Sequence, residues 1–442
     1  MSPLPSTEAE RILLDTFGTI PTASGPLAVD TRTFLANAKH EVESGRVLRK
    51  TVYEVSPDGS LKQLLPQSEY SLFEESVYLC SLVSVNTKGA KRSHVYLWTG
   101  SSSSLSAYHA AESAGKKIAR ETTSTLLPPV HQGHEPPAFF NALGGIAIIR
   151  RGSSDSATKQ YMLCGRKHLG HIAFDEVDFG IDSLCAGFAY LISYPITLQE
   201  TKLYLWKGSC ASPEEVGAAR LVAMDLSETG EVIEVDDGAE FASFLKIFGP
   251  GTTKADVIMP TMMWQRKAQE PDKWTTRLFR IQRAETKSSL FTSVFVRRPS
   301  WNGRSPSRPA ADIMVEAIEV SPFMQSDLEA EGIYLLDGYG SRYLLVGPLF
   351  ASQAGAARNA LLGQALLFAS DYAKLSTSFG ERAPARDCAV VFSGIPSDVK
   401  MLFRHWDEGH GLWGSAALMA GSSTSLGELK TVPLEDVLRT VV

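Results

Sequence analysis

One phrase recurs three times along this chain, and its recurrence limits the possible folds more than any other feature. The fullest copy is LYLWKGSCASPEEVGAARLVAMD at residues 203–225. Its LYLW run reads as a buried strand, and Gly208 allows the chain to turn. Ser212 suits an N-cap, Pro213 suits the first helical position, and Glu215 at N3 completes a capping box. Val216, Ala219, Ala223 and Met224 then recur at helical spacing, which predicts that this face packs back on the strand.

The other copies are VYLWTG at residues 95–100, followed by a helical run over 105–120, and RYLLVG at residues 342–347, followed by a helical run over 351–372. A second phrase follows each helix. It starts at Val130, Val235 and Val391, reaches a glycine three positions on (Gly133, Gly238, Gly394), and continues into a short apolar helix. Two phrases recurring in the same order define a repeat of roughly 110 to 150 residues, the size of a small domain. The 442-residue length agrees with three such domains. The boundaries read as 1–145, 146–252, and 253–442, the last including a linker to residue 272 and a C-terminal tail. Each unit is predicted to carry about five short strands, one long helix and one short helix. The simplest way to bury both helices is a mixed α/β (α+β) layer arrangement, with a single sheet between them. Residues 31–43 read as helix, 290–296 as a strand, and the Pro/Ser/Arg-rich stretch 297–309 as an exposed loop.

Charge and cysteine content exclude several function classes. A net charge of −6 gives no global basic field for nucleic acid. Cys80, Cys164, Cys185, Cys210 and Cys388 are odd in number and lack CxxC spacing, which predicts reduced thiols in a cytoplasmic setting. The opening MSPLPSTEAE lacks a signal-peptide pattern, and no run of 18 apolar residues predicts a membrane span. No nucleophile elbow, P-loop or dinucleotide fingerprint falls in a strand-to-helix context, so no enzymatic activity is predicted. His168 and His171 lack a companion ligand set and read as loop histidines.

The order of these phrases resembles the gelsolin/villin family over nearly the whole chain. The most specific stretches are SPFMQSDLEAEGIYLLDGYGSRYLLVG at 321–347, CAVVFSGIPSDVKMLFRHWDEG at 388–409 and HQGHEPPAFFNALGGIAIIRRGSS at 131–154. GRKHLGHIAFDEVDF at 165–179 and FLKIFGP at 244–250 also fit. The resemblance implies three gelsolin-like repeats, each a mixed five- or six-stranded sheet between one long and one short helix. It also implies actin binding (filament or monomer), capping or severing, calcium control and phosphoinositide binding, in the cytoplasm at the cytoskeleton.

By the same resemblance, calcium would be held by a backbone carbonyl and an Asp before the turn, plus a Glu at the start of the long helix. Calcium needs several oxygen ligands. In the first domain those positions fall on Glu75, Ser76 and Ala107. In the second they fall on Gly187, Phe188 and Glu215, and in the third the Asp and Glu positions are Gly332 and Ala354. Gly187 and Glu215 are the residual metal candidates, and the capping box already explains Glu215. No cofactor is therefore predicted, and calcium independence is. The first-domain helix would meet actin around Tyr108 and Lys116. Its alanine stripe (Ala107, Ala111, Ala114) with Ile118 predicts packing on its own sheet and weak or no severing. Arg150, Arg151 and Gly152, with Arg166 and Lys167, fall where the family touches the filament side and phosphoinositide headgroups. They read as one exposed basic patch that salt would screen. Two functions remain open at this point: a calcium-independent actin side-binding or capping protein, and a protein–protein scaffold with the gelsolin-like fold that has lost actin.

Overall fold

The computed structural model of the protein describes residues 7–21, 27, 29–36, 46–86, 88–197, 200–227, 229–254, 257, 261–284, 315–353, 355–380, 387–407, 413 and 429–441. The expected strand at 290–296 and loop at 297–309 lie outside the described residues. Two compact units form: His40–Pro271, and Met1–Lys39 together with Asp272–Val442. Among the described residues, the first unit holds a six-stranded and a seven-stranded sheet, and the second a six-stranded sheet. All three sheets mix parallel and antiparallel pairs, so the fold is α+β.

The recurrent phrases build the same corner three times. Strands Lys91–Thr99, Thr201–Lys207 and Ser341–Val346 each run antiparallel to the preceding strand and parallel to the one after the long helix. Trp98 pairs with Val130, Trp206 with Val235 and Leu345 with Val391, so both phrases meet in one register. The glycine three residues on is left-handed each time: Gly133 (φ 85°), Gly238 (φ 85°) and Gly394 (φ 66°). At the strand ends, the N–H groups of Gly100, Gly208 and Gly347 donate to the carbonyls of Ser76, Phe188 and Gly332 (3.1, 3.0 and 2.9 Å). A Cβ on these glycines would lie 2.1, 2.4 and 2.2 Å from the carbonyl oxygens of Glu74, Ala186 and Ala330. No side chain fits there, which is why the phrase keeps its glycine.

Strand alternation then assigns the faces. Val95 and Leu97 pack under the helix Leu105–Glu121 with Ala107, Ala111 and Ala119, while Tyr96 and Trp98 face Phe139 and Phe140 of the helix Pro137–Leu143. In the second sheet, Leu203 and Leu205 meet the helix Pro213–Leu226. Tyr204, on the other face, meets Phe244 of the short helix Ala242–Leu245 edge-on at 5.4 Å. In the third, Leu344 and Val346 pack in the core of the helix Gly355–Ser378. The Tyr343 hydroxyl, on the opposite side, reaches Asp398 of the short helix Ser397–Lys400 at 3.3 Å.

Several expectations are corrected. Of the face assigned to Pro213–Leu226, Ala219 and Ala223 are buried and Val216 packs against the same core, but Met224 is exposed and Ala218 and Val222 complete the buried stripe. The strand Ser71–Phe73 leaves its sequence neighbours and pairs parallel with Ile146–Arg150, which gives the second sheet its seventh strand. The N-terminal segment belongs with the third sheet rather than the first. Its helix Glu8–Phe17 buries Ala9, Ile12, Leu13 and Phe17 in the core that contains Phe350 and Phe392. Residues 261–271, expected as linker ahead of the third domain, belong to the first unit. The tail helix Leu434–Val441, which the sequence left unassigned, buries Leu434, Val437 and Val441 in the third core.

The first two corners share a polar lock. Trp98 Nε1 donates to Glu135 at 2.9 Å, and the Gly133 N–H donates to the same oxygen at 3.0 Å. Trp206, Gly238 and Glu240 repeat this at 2.9 and 3.0 Å. The third corner has Leu345 and Pro396 at these positions, so the donor and the acceptor are replaced together. Glu240→Ala leaves a buried indole N–H without an acceptor and is predicted to cost about 1–3 kcal/mol in urea unfolding, whereas Glu240→Gln keeps an acceptor oxygen and costs less. Equal losses for the two variants would rule out the acceptor role.

Candidate functional site

The helix Pro213–Leu226 starts as its sequence predicts. Ser212 Oγ accepts from the Glu215 N–H at 3.2 Å, and Glu215 Oε2 accepts from the Ser212 N–H at 2.8 Å. Its position at the end of the second sheet gives Glu215 further partners. Oε1 also accepts from the Lys167 N–H at 2.8 Å, which fixes the carboxylate against the strand Tyr161–His168. The Lys267 ammonium then lies 2.8 Å from Oε1 and 2.7 Å from Oε2 and donates to the Gly187 carbonyl. Both side chains are buried, with 2% exposure for Lys267 and 0% for Glu215.

Lys267 arrives from a helix that no repeat phrase announced, Met262–Gln269. Trp264, three residues earlier on the same face, is fully buried and meets Phe188 edge-on with ring centres 5.1 Å apart. Gly187 must lack a side chain here, since its Cβ would lie 2.5 Å from the Trp264 ring. The Lys267 ammonium also sits 4.2 Å from the centre of the Phe188 ring, and Arg166 lies 4.6 Å from the same ring. Burial pushes the Lys267 pKa below the usual lysine value, against the pull of Glu215.

These residues do not fit calcium. Glu215 and the Gly187 carbonyl are suitable hard oxygen donors. Phe188, however, stands where a second carboxylate would be needed, and an ammonium already lies among the oxygens. In the first domain, Ser76 donates to Glu54 at 2.8 Å and Ala107 is buried against its own sheet. Ala354 lies outside the described residues. Among the described residues, no three His, Cys, Asp or Glu side chains cluster as a metal site.

The expected exposed basic patch is corrected. Arg150 is 9% exposed; its Nε donates to Glu176 at 2.6 Å, its Nη2 donates to the Thr158 carbonyl at 3.2 Å, and its guanidinium stacks 3.8 Å from the Tyr161 ring centre. Arg166 is 6% exposed, on the strand face of Cys164, and donates to the Cys164 sulfur at 3.3 Å. Arg151 does reach the surface, where it pairs with Asp178 at 2.6 Å. Gly152 follows with φ 69°, its N–H on Glu74 at 3.0 Å. Lys167 pairs with Glu214 at 2.6 Å. Arg150 and Arg166 lie on strands separated by His171–Val177, and both point into the protein. Arg166 continues a strand that is buried on both faces from Tyr161 onward.

On the first long helix, Lys116 is exposed and pairs with Glu112 at 2.6 Å. Tyr108 is half-buried and lines an open groove of about 510 Å³ with Leu105, His131 and His134. His168 and His171 are not exposed loop residues. They face each other across a hairpin, and His171 stacks on Phe140 at 5.6 Å with the rings nearly parallel. No cysteine forms a disulfide in the structure, and burial pushes the Cys80 and Cys185 thiols up to about 12, where the thiolate is scarce.

The burial of Arg150 sets a prediction. Arg150→Ala leaves Glu176 without its partner in a largely dry site and is predicted to cost about 3 kcal/mol of stability. Arg151→Ala, at the exposed pair, is predicted to cost less than about 1 kcal/mol. Urea unfolding of the two single variants checks the order, and equal losses would overturn it.

Residues 170–245 match the gelsolin repeat family model, and residues 51–151 match a model described as a domain of unknown function (DUF7904). No curated protein matches the chain. Among solved structures, a Thorarchaeota 2DGel3/rabbit actin complex is 20% identical and covers 45% of this chain and 99% of that chain, with a TM-score of 0.17. A Thorarchaeota ProGel/rabbit actin complex is also 20% identical and covers 22% of this chain and 100% of that chain, with a TM-score of 0.18.

Proposed function

We propose that this chain is a calcium-independent actin-binding protein of the gelsolin type, acting on the filament side or at its end with weak or no severing. The match of residues 170–245 to the gelsolin repeat carries the reading. The threefold corner supports three gelsolin-like repeats: one over residues 46–145, one over 146–271, and one over 272–442 completed by residues 7–36. Lys267 in the Gly187–Glu215 cradle supports calcium independence. The alanine-faced helix Leu105–Glu121 supports the absence of a severing wedge, since its apolar stripe packs under its own sheet.

The acidic filament, or an anionic phosphoinositide headgroup, would meet the residues that remain accessible: Arg151, Gly152, Tyr108 and Lys116. The burial of Arg150 and Arg166 favours a second reading, a scaffold that keeps the fold and has lost actin, because it removes half of the basic patch.

High-speed co-sedimentation with filaments separates the two. The first reading predicts equal pelleting in calcium and in chelator, wild-type pelleting that weakens as salt rises from roughly 50 to 150 mM, over which screening of exposed charges grows, and weaker pelleting of Arg151→Ala than of wild type at the lower salt. Dependence of pelleting on calcium would refute calcium independence. A wild-type protein that stays in the supernatant at both salts leaves the scaffold reading.

A further inference from the structure

The disagreement between this donor set and a calcium site is itself informative. An ammonium offers three N–H donors and one positive charge. Here those donors meet both oxygens of Glu215 and the Gly187 carbonyl, oxygen donors of the kind a hard cation uses. Charge also balances. One carboxylate faces one ammonium, and the position where the resemblance puts a second carboxylate holds Phe188, whose ring face attracts the same cation. A buried carboxylate without a cation is strongly disfavoured, so whatever fills this cradle is held firmly.

We infer that Lys267 is a tethered cation that stands in for a divalent ion at Glu215 and fastens the helix Met262–Gln269 to the second sheet, so that docking of this helix needs no metal. This rests on reading residues 170–245 as a gelsolin repeat, but not on actin binding. A second observation supports the fastening independently of charge. Gly187 leaves its side-chain space to Trp264, so the same short helix is seated twice, by a ring against a glycine and by an ammonium in the cradle. In this arrangement the helix Met262–Gln269 is seated by the chain itself, without an ion.

The test uses the full chain, its Lys267→Ala and Lys267→Gln variants, and Lys267→Ala combined with Glu215→Gln. Each is titrated with calcium chloride, with magnesium chloride as control, and followed by thermal unfolding and by calorimetric binding. Wild type is expected to show no calcium-dependent shift. Lys267→Ala is expected to unfold roughly 10 °C below wild type, because Glu215 loses its partner in a unit of this size. Calcium is expected not to recover that loss, because Phe188 leaves a single carboxylate at the site, and the added Glu215→Gln is expected to recover part of it by removing the unpaired buried charge. Lys267→Gln keeps a hydrogen-bond donor and volume, and decides the matter if the alanine variant does not fold. A Lys267→Ala loss that the added Glu215→Gln does not lessen overturns the charge pairing. Calcium binding by wild type at one ion per chain that is lost in the double variant overturns the stand-in role of Lys267. Neither outcome depends on whether the protein pellets with filaments.

Discussion

One buried carboxylate ties the second repeat together. Glu215 closes the cap of its own helix at Ser212, accepts the Lys167 N–H from the strand Tyr161–His168, and pairs with Lys267 from the helix Met262–Gln269. Helix, sheet and linker therefore meet on two oxygen atoms. Such a group is stable only when its whole acceptor capacity is used, since each lost donor leaves charge in a medium that solvates it poorly. This constraint orders the surroundings. Gly187 has no side chain, Trp264 takes the space that results, and Phe188 turns its ring to the ammonium.

Much of this was legible in the sequence because it is local. The capping box at Ser212 and Glu215 needs only three residues of spacing, and the structure shows both of its hydrogen bonds. The recurrent phrases gave the strand–turn–helix order, and their shared register follows from a turn in which only glycine fits. What was not legible is long-range. Lys267 lies 52 positions from Glu215, in a stretch whose composition reads as a linker. Its only local trace is the Trp264–Lys267 spacing, one turn of one helix face. The docking of Phe17 beside Phe350 and Phe392 is equally invisible to a pattern that stops at a few residues.

The misread arginines have a different cause. Position between an apolar run and a polar loop suggested that Arg150 emerges into solvent, and the resemblance suggested the same for Arg166. Both lie within strands instead, and both are stacked on aromatic rings, Tyr161 for Arg150 and Phe188 for Arg166. A guanidinium is planar and more weakly hydrated than an ammonium, so it enters such a place at a lower desolvation cost, provided a carboxylate is near. Glu176 serves Arg150 in this way. Basic content in a sequence therefore overstates basic surface when strands carry arginine beside aromatic residues.

Two sites show that replacements in this chain come in matched pairs. Where the first two corners hold a tryptophan N–H against a glutamate, the third holds leucine and proline, so neither a donor nor an acceptor is stranded. Where the resemblance puts a divalent ion between two carboxylates, the second repeat holds one ammonium and one carboxylate, with a phenyl ring in place of the other. The reason is the same in both cases. Changing one partner alone leaves a buried polar or charged group uncompensated, while changing both returns the site to balance. The two outcomes still differ in what they do to the chain. The leucine–proline pair simply removes a polar contact. The lysine–phenylalanine pair brings the cation on a segment of the polypeptide, so satisfying the charge also seats the helix Met262–Gln269 on the sheet.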